Sequence, residues 1–191
     1  MPQDENGPVI HTIGHSTRPL DQFISMLEAH SISLLADIRT VPRSARNPQF
    51  NRESLSLELA KAGIRYQHFA ALGGLRKPRA DSVNTGWKNE SFRGYADYMQ
   101  TPEFASALER LIEEARIEEE ERAHVCIMCA EAVPWRCHRS LVSDALVARG
   151  VRAIHIMSAK TAQPHKLTRF ARVRGDRVTY PPESPDFGEQ A

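Results

Sequence analysis

The residues of this chain best suited to chemistry are concentrated in one run, Cys129 to Arg139, which reads CAEAVPWRCHR. Two thiols, a carboxylate, an imidazole and guanidiniums meet there between an apolar run ending at Met128 and a helical pattern carried on from Ser140 to Arg149. Pro134 suits the first turn of a helix, where its missing N–H is not needed, and the unpaired N–H groups of such a turn favour negative charge. A thiolate or a bound anion would be stabilised in that place, and reactive cysteines tend to occupy such electropositive helix starts. Cys129 and Cys137 are therefore candidate nucleophiles, with Glu131 and His138 as candidate proton carriers. Cys137 also shares helical spacing with Leu141 and Ala145, which packing alone would explain. Arg139 at a helix start opposes the local dipole, so it needs an anion or a carboxylate nearby, with Glu131 or Asp37 as the internal partners.

The same residues admit a metal reading, in which Cys129, Cys137 and His138, with His15 or Glu131, hold zinc or iron. The spacing fits no standard zinc module, and adjacent Cys137 and His138 would leave a helix in different directions. No cofactor is specified by the sequence. Cys126 and Cys129 spell a CxxC inside a predicted strand, where residues three apart face opposite sides and do not pair. A strand-end cysteine before an early arginine is similar to the anion-cradling loops of cysteine phosphatases and rhodaneses. Six residues separate Cys129 from Arg136 where the phosphatase pattern has five, and the loop lacks that pattern's glycines.

These groups need a scaffold, and alternating strands and helices supply one. Val9 to Ser16 reads as a strand ending in Gly-His-Ser, with Thr17 as cap of a helix whose stripe is Leu20, Phe23, Ile24 and Leu27, Met26 lying off it. Gly14 to Thr17 offers backbone donors to a phosphate, or an ordinary cap. Leu34 to Arg39 reads as a second strand, Leu55 to Ala62 as a helix closed by Gly63, and Ile64 to Gly74 as a third strand running into a turn. Leu75 to Arg93 is a long polar loop, either a lid or a surface insertion. Phe92 to Met99 and Pro102 to Arg122 read as helices, His124 to Glu131 as the central strand and Val151 to Met157 as another. Arg169 to Pro181 forms a hairpin turning at Gly175-Asp176. The expected fold is one α/β domain over residues 9–181, a mainly parallel sheet with helices on both faces and a C-terminal hairpin, between flexible termini at 1–8 and 182–191. Ligands bind such sheets at the carboxyl ends of the strands. His15 and Ser16, Asp37 and Arg39, Cys129 and Glu131, and His155 fall at those ends.

The 191 residues, 41% hydrophobic and 26% charged with net charge +1, are ordinary globular composition, which argues against a disordered or fibrous chain. No apolar stretch is long enough to span a membrane, and the polar start MPQDENGPV is unlike an export signal. Three cysteines are too few for a secreted disulfide framework, so a soluble cytoplasmic protein with reduced thiols is expected. Arg39 to Arg93 carries eleven Lys or Arg against four Asp or Glu, a basic middle able to face an anionic ligand.

Taken together, TIGHS (Thr12 to Ser16), DIRTVPRS (Asp37 to Ser44), LGG (Leu72 to Gly74), FRGYADYM (Phe92 to Met99), CAEAVPWRCHR and the closing FARVRGDRVTYP resemble the family called domain of unknown function 488. The resemblance covers nearly the whole chain and implies a single domain, without an activity to carry over. From the residues, the leading expectation is an enzyme acting on a small anionic substrate, phosphorylated or nucleotide-like, as a cysteine-dependent transferase or hydrolase. Arg39, Arg43, Arg139 and Ser16 would hold the anion, Cys137 or Cys129 would attack, and His15, Asp37, Glu131 or His138 would move protons. The alternative is a nucleic-acid-binding module that uses the basic middle with Trp87 and Tyr66 as stacking groups.

Overall fold

Central strands buried on both faces build the sheet that carries the site. In the computed structural model, which describes residues 7–182, six strands lie in the order β3-β2-β4-β1-β5-β6. They are β1 (Val9–Gly14), β2 (Ile32–Asp37), β3 (Arg65–His68), β4 (His124–Cys129), β5 (Arg152–Ser158) and β6 (Thr161–Pro164). All neighbours are parallel except β5 and β6, which are antiparallel. The fold is α/β as expected, with β7 (Arg172–Arg174) and β8 (Arg177–Thr179) forming the separate C-terminal hairpin. The loose ends anticipated from sequence fall mostly on residues 1–6 and 183–191, outside the described span.

Each face of the sheet buries its own apolar cluster. Ile13, Leu35, Cys126 and Met128 pack with Phe23, Met26 and Leu27 of α1 (Leu20–Ala29) and Leu55 and Leu59 of α2 (Arg52–Lys61). Ile10, Leu34, Val125, Ile127 and Cys129 face α3 (Glu90–Tyr98), α4 (Pro102–Glu120) and α5 (Arg139–Val147). Each fully buried leucine or phenylalanine in these clusters contributes roughly 1.5–3 kcal/mol. Cys126 and Cys129 lie in opposite clusters, so the CxxC does not pair.

The local chemistry is partly as expected. Gly63 ends α2 at φ +73°, a left-handed turn that glycine adopts without strain. Asn89 caps α3 by accepting from the backbone N–H groups of Ser91 and Phe92, and Thr101 caps α4 ahead of Pro102. Other readings are corrected. Pro19, not Thr17, holds the cap position of α1 and makes no side-chain cap bond. Met26 is fully part of the buried stripe, while Leu20 and Ile24 are only half-buried. β6 went unforeseen because all four of its residues are exposed and leave no hydrophobic alternation to read.

The long loop after Leu75 is tied to the body. Asp97 accepts from the backbone N–H of Arg79, the hydroxyl of Ser82 and the amide of buried Asn84. Tyr180 then bonds Asn84 and Gly86 through its own backbone.

Candidate active site

The carboxyl ends of β1, β4 and β2 lie side by side, and the segment after β4 folds over them. A helix does not begin at Pro134. Pro134–Arg136 is a single 3-10 turn, Cys137 is extended at φ −145° and ψ 154°, and α5 starts at Arg139. Cys137 thus stands just ahead of the helix instead of inside its first turn. A helix-start donor nonetheless reaches the sulfur, since the backbone N–H of Arg139 donates to Cys137 Sγ at 3.3 Å.

Gly14 makes the close approach possible. A Cβ there would overlap the carbonyl of Glu131 and lie 2.9 Å from the Arg139 guanidinium. The backbone donors of His15 and Ser16 extend the β1–β4 ladder, bonding the carbonyls of Cys129 and Ala130, so they are not available to cradle a phosphate.

Arg139 is 1% exposed and pairs with neither Glu131 nor Asp37 as a carboxylate. Its Nε donates to Cys129 Sγ at 3.0 Å, one terminal nitrogen donates to Thr12 Oγ1 at 3.2 Å, and the other to the carbonyl of Glu131 at 2.7 Å. Glu131 therefore serves through its backbone, with its residue exposed at the mouth of the site. Asp37, fully buried, grips Arg39 with both oxygens and also accepts from Tyr66 OH at 2.6 Å. Asp37 and Arg39 neutralise each other, and Arg39 spends a further donor on the carbonyl of Phe50.

Two sulfurs share the Arg139 guanidinium, and their environments drive them apart. Burial pushes the Cys137 thiol up, but the hydrogen bond with Cys129, the His138 imidazole and Arg139 outweigh it and hold Cys137 well below the ordinary thiol value. Burial, together with the neighbouring Cys137, pushes Cys129 well above it. Of the two, Cys137 is the sulfur whose surroundings favour a thiolate and Cys129 the one whose surroundings favour a thiol.

His138 is oriented by the backbone. Its Nε2 lies 3.0 Å from the carbonyl of Ile38, which only accepts, so Nε2 carries a proton and Nδ1 faces Cys137 Sγ at 3.9 Å. Tyr95 packs on the imidazole at 5.0 Å between ring centroids. Gly74 leaves room for it, since a Cβ there would sit 3.1 Å from Nδ1. His15 is stacked on Phe50 at 4.3 Å. Its Nδ1 donates to the carbonyl of Ser16 and burial lowers its pKa, so Nε2 accepts from Arg39 at 3.4 Å.

Above the sulfurs opens a cleft of about 380 Å³. Cys129, Cys137, His138, His15, Arg39, Arg43 and Glu131 line it, whereas Asp37, Arg139 and Ser16 lie outside the lining. Its exposed cations are Arg43 and Arg136, which make no ion pair among the described residues. Its rim is apolar, with Val41 60% and Leu75 83% exposed beside Phe92 and Tyr95. Sequence reasoning passed over Arg136, Thr12, Tyr95 and the Ile38 carbonyl. Only Arg136 had a readable signal, as a basic residue next to the candidate cysteine.

Among the described residues no three His, Cys, Asp or Glu side chains converge as a metal site requires. The two stacking groups of the nucleic-acid alternative are engaged within the fold. Trp87 is packed against Phe92, Phe170 and Tyr180, and the Tyr66 hydroxyl is spent on Asp37. In the basic middle, Lys61, Arg65, Arg79 and Arg93 are each paired with acidic residues.

The model for Domain of unknown function DUF488 matches residues 19–146. The chain belongs to this family. The matched span of the DUF488 chain includes Asp37, Arg39 and the Cys129–Arg139 run, while Thr12 and His15 precede it and His155 and His165 follow it. No curated protein and no solved structure matches the chain. Among the described residues no helix is long and apolar enough to cross a membrane.

Proposed function

We propose that this DUF488 protein is a thiol-dependent transferase or hydrolase acting on a small anionic substrate, with Cys137 as nucleophile. The observation that carries the reading is the setting of Cys137 Sγ. It lines a cleft, receives a helix-start N–H, and has beside it an imidazole whose far nitrogen is fixed by the Ile38 carbonyl. Activated nucleophiles have this arrangement, in which a base lies next to the attacking atom and a third group orients the base.

In the reaction so inferred, the Cys137 thiolate forms a bond to an electrophilic carbon or phosphorus while the bond to the leaving group breaks. The leaving group takes a proton from His138, and water or a second acceptor, deprotonated in turn by His138, displaces Cys137 to complete the cycle. Arg139 stays charged and offsets the thiolate before attack. Arg43 and Arg136 attract the anionic group, and the apolar rim of Val41, Leu75, Phe92 and Tyr95 accommodates an uncharged body.

Incubation with a panel of phosphorylated and carboxylated small molecules, followed by intact-mass and peptide mass spectrometry, tests the reading. A covalent adduct on Cys137 or substrate turnover is expected, and either is lost in Cys137→Ala. Turnover that survives Cys137→Ala would overturn it.

A further inference from the structure

Behind the sulfurs runs a buried polar chain that the proposed reaction does not touch. Asp144 of α5, fully buried, accepts from the Thr168 backbone at 2.9 Å, from Tyr180 OH at 2.7 Å and from His165 Nε2 at 2.8 Å. His165 Nδ1 lies 2.9 Å from His155 Nε2, and His155 Nδ1 lies 2.7 Å from Thr12 Oγ1. Thr12 in turn meets Arg139, which holds Cys129. Thr12, His155 and His165 are 0%, 8% and 6% exposed.

The two ends fix the direction of the bonds they make. A carboxylate only accepts, so His165 Nε2 carries a proton, while a guanidinium only donates, so Thr12 Oγ1 is an acceptor toward Arg139. The arrangement in which each of these groups finds a partner runs one way, the Thr12 hydroxyl donating to His155, His155 to His165 and His165 to Asp144. Burial, then the neighbouring His165 and Arg139, push His155 down to about 3, so it is neutral at ordinary pH. The Thr12 proton is thereby drawn away from Arg139 and its lone pairs are turned toward it.

Burying four polar side chains costs free energy that an aliphatic filling of the same space between β1, β5 and α5 would not. Among the described residues Arg139 links this chain to Cys129 Sγ by hydrogen bonds. Because a guanidinium keeps its protons, nothing is relayed through it, and the chain acts by geometry. We propose that Thr12, His155, His165 and Asp144 are positioning residues that hold the Arg139 guanidinium against Cys129 Sγ and so keep its charge beside Cys137. This rests on the thiolate reading of Cys137 above. The charged and titratable groups around Cys137 and its cleft are Cys129 and Glu131 at the end of β4, His138 and Arg139 at the start of α5, Arg136 from the turn, Tyr95 from α3, His15 after β1, and Arg39 and Arg43 after β2. Of these, only Arg139 is held by the chain.

Thr12→Val nearly preserves volume and removes the hydroxyl. The rate of Cys137 alkylation by iodoacetamide, followed by peptide mass spectrometry across pH, gives the midpoint of its titration. In Thr12→Val the midpoint is expected to rise by about one unit, a roughly tenfold fall in thiolate fraction below it, and Thr12→Ser is expected to restore it. A folded Thr12→Val protein with the wild-type midpoint would overturn the positioning role, even if its melting temperature fell. Should Thr12→Val not fold, His155→Phe removes the acceptor of the Thr12 hydroxyl, and an unchanged midpoint there has the same meaning. An ordinary thiol midpoint in the wild-type protein would instead defeat the thiolate reading itself, so the two failures are told apart.

Discussion

At the scale of single residues, the three cysteines are chemically different. Cys126 is fully buried among aliphatic side chains and burial raises its pKa, Cys129 is held as a thiol, and Cys137 is the acidic one. Alkylation at pH 6–7 is therefore expected to label Cys137 first, by at least about tenfold over the other two, as counted by peptide mass spectrometry. Asn in place of His138 removes the imidazole beside the sulfur and should raise the Cys137 midpoint by about a unit or more, measured by the same titration. The residue types of this site could be read from sequence, because Cys129, Cys137, His138 and Arg139 are unusual together at a strand end. Their division of labour was not readable. Glu131 acts through a carbonyl and His138 is oriented by the Ile38 carbonyl, and a backbone oxygen has no residue-type signature. Asp37 and Arg39, two apart at the end of a strand, could have been read as partners, which would have removed Arg39 from the anion-binding set.

At the scale of elements, the site depends on how closely β1 meets the segment after β4. Gly14→Ala puts a methyl group into the Glu131 carbonyl. A loss of about 2–4 kcal/mol in urea unfolding is expected, together with a slower reaction at Cys137. The other end of the central strands carries a different load. There His11 of β1 lies 5.0 Å from His124 and 5.9 Å from His30 between ring centroids, with Nδ1 buried and unpartnered. Burial, then the charges of His124, His30 and Arg152, lower its pKa to about 4. The unfolded chain takes up that proton near pH 6.5 and the folded one only near 4, so stability is full above 6.5 and falls as pH drops through this window. His155, lowered to about 3, contributes in the same direction. His11→Leu should lose about 1–2 kcal/mol less than wild type between pH 7 and 5, compared by urea unfolding. Helices and buried strands were legible because their apolar periodicity survives in the sequence. The true start of α5 was not, since Pro134 is equally at home in the isolated 3-10 turn that precedes it.

At the scale of the whole molecule, the near-neutral chain conceals a local field. Five of the eleven cations of the basic middle are paired with carboxylates, and what the cleft presents to solvent is Arg43 and Arg136. Anionic iodoacetate should therefore gain on neutral iodoacetamide at Cys137, relative to their ratio with free cysteine. Arg136→Ala should lower that gain several-fold, and added salt should erode it. The order of the sheet has a temporal meaning as well. β4 is inserted between β1 and β2, so the centre of the sheet is completed by a strand made long after its neighbours. Contacts spanning so much sequence form slowly. Until that insertion Cys137 has no Ile38 carbonyl to orient its neighbour His138 and no Cys129 in place to hold Arg139. Under the thiolate reading proposed for Cys137, its acidity then marks a finished molecule.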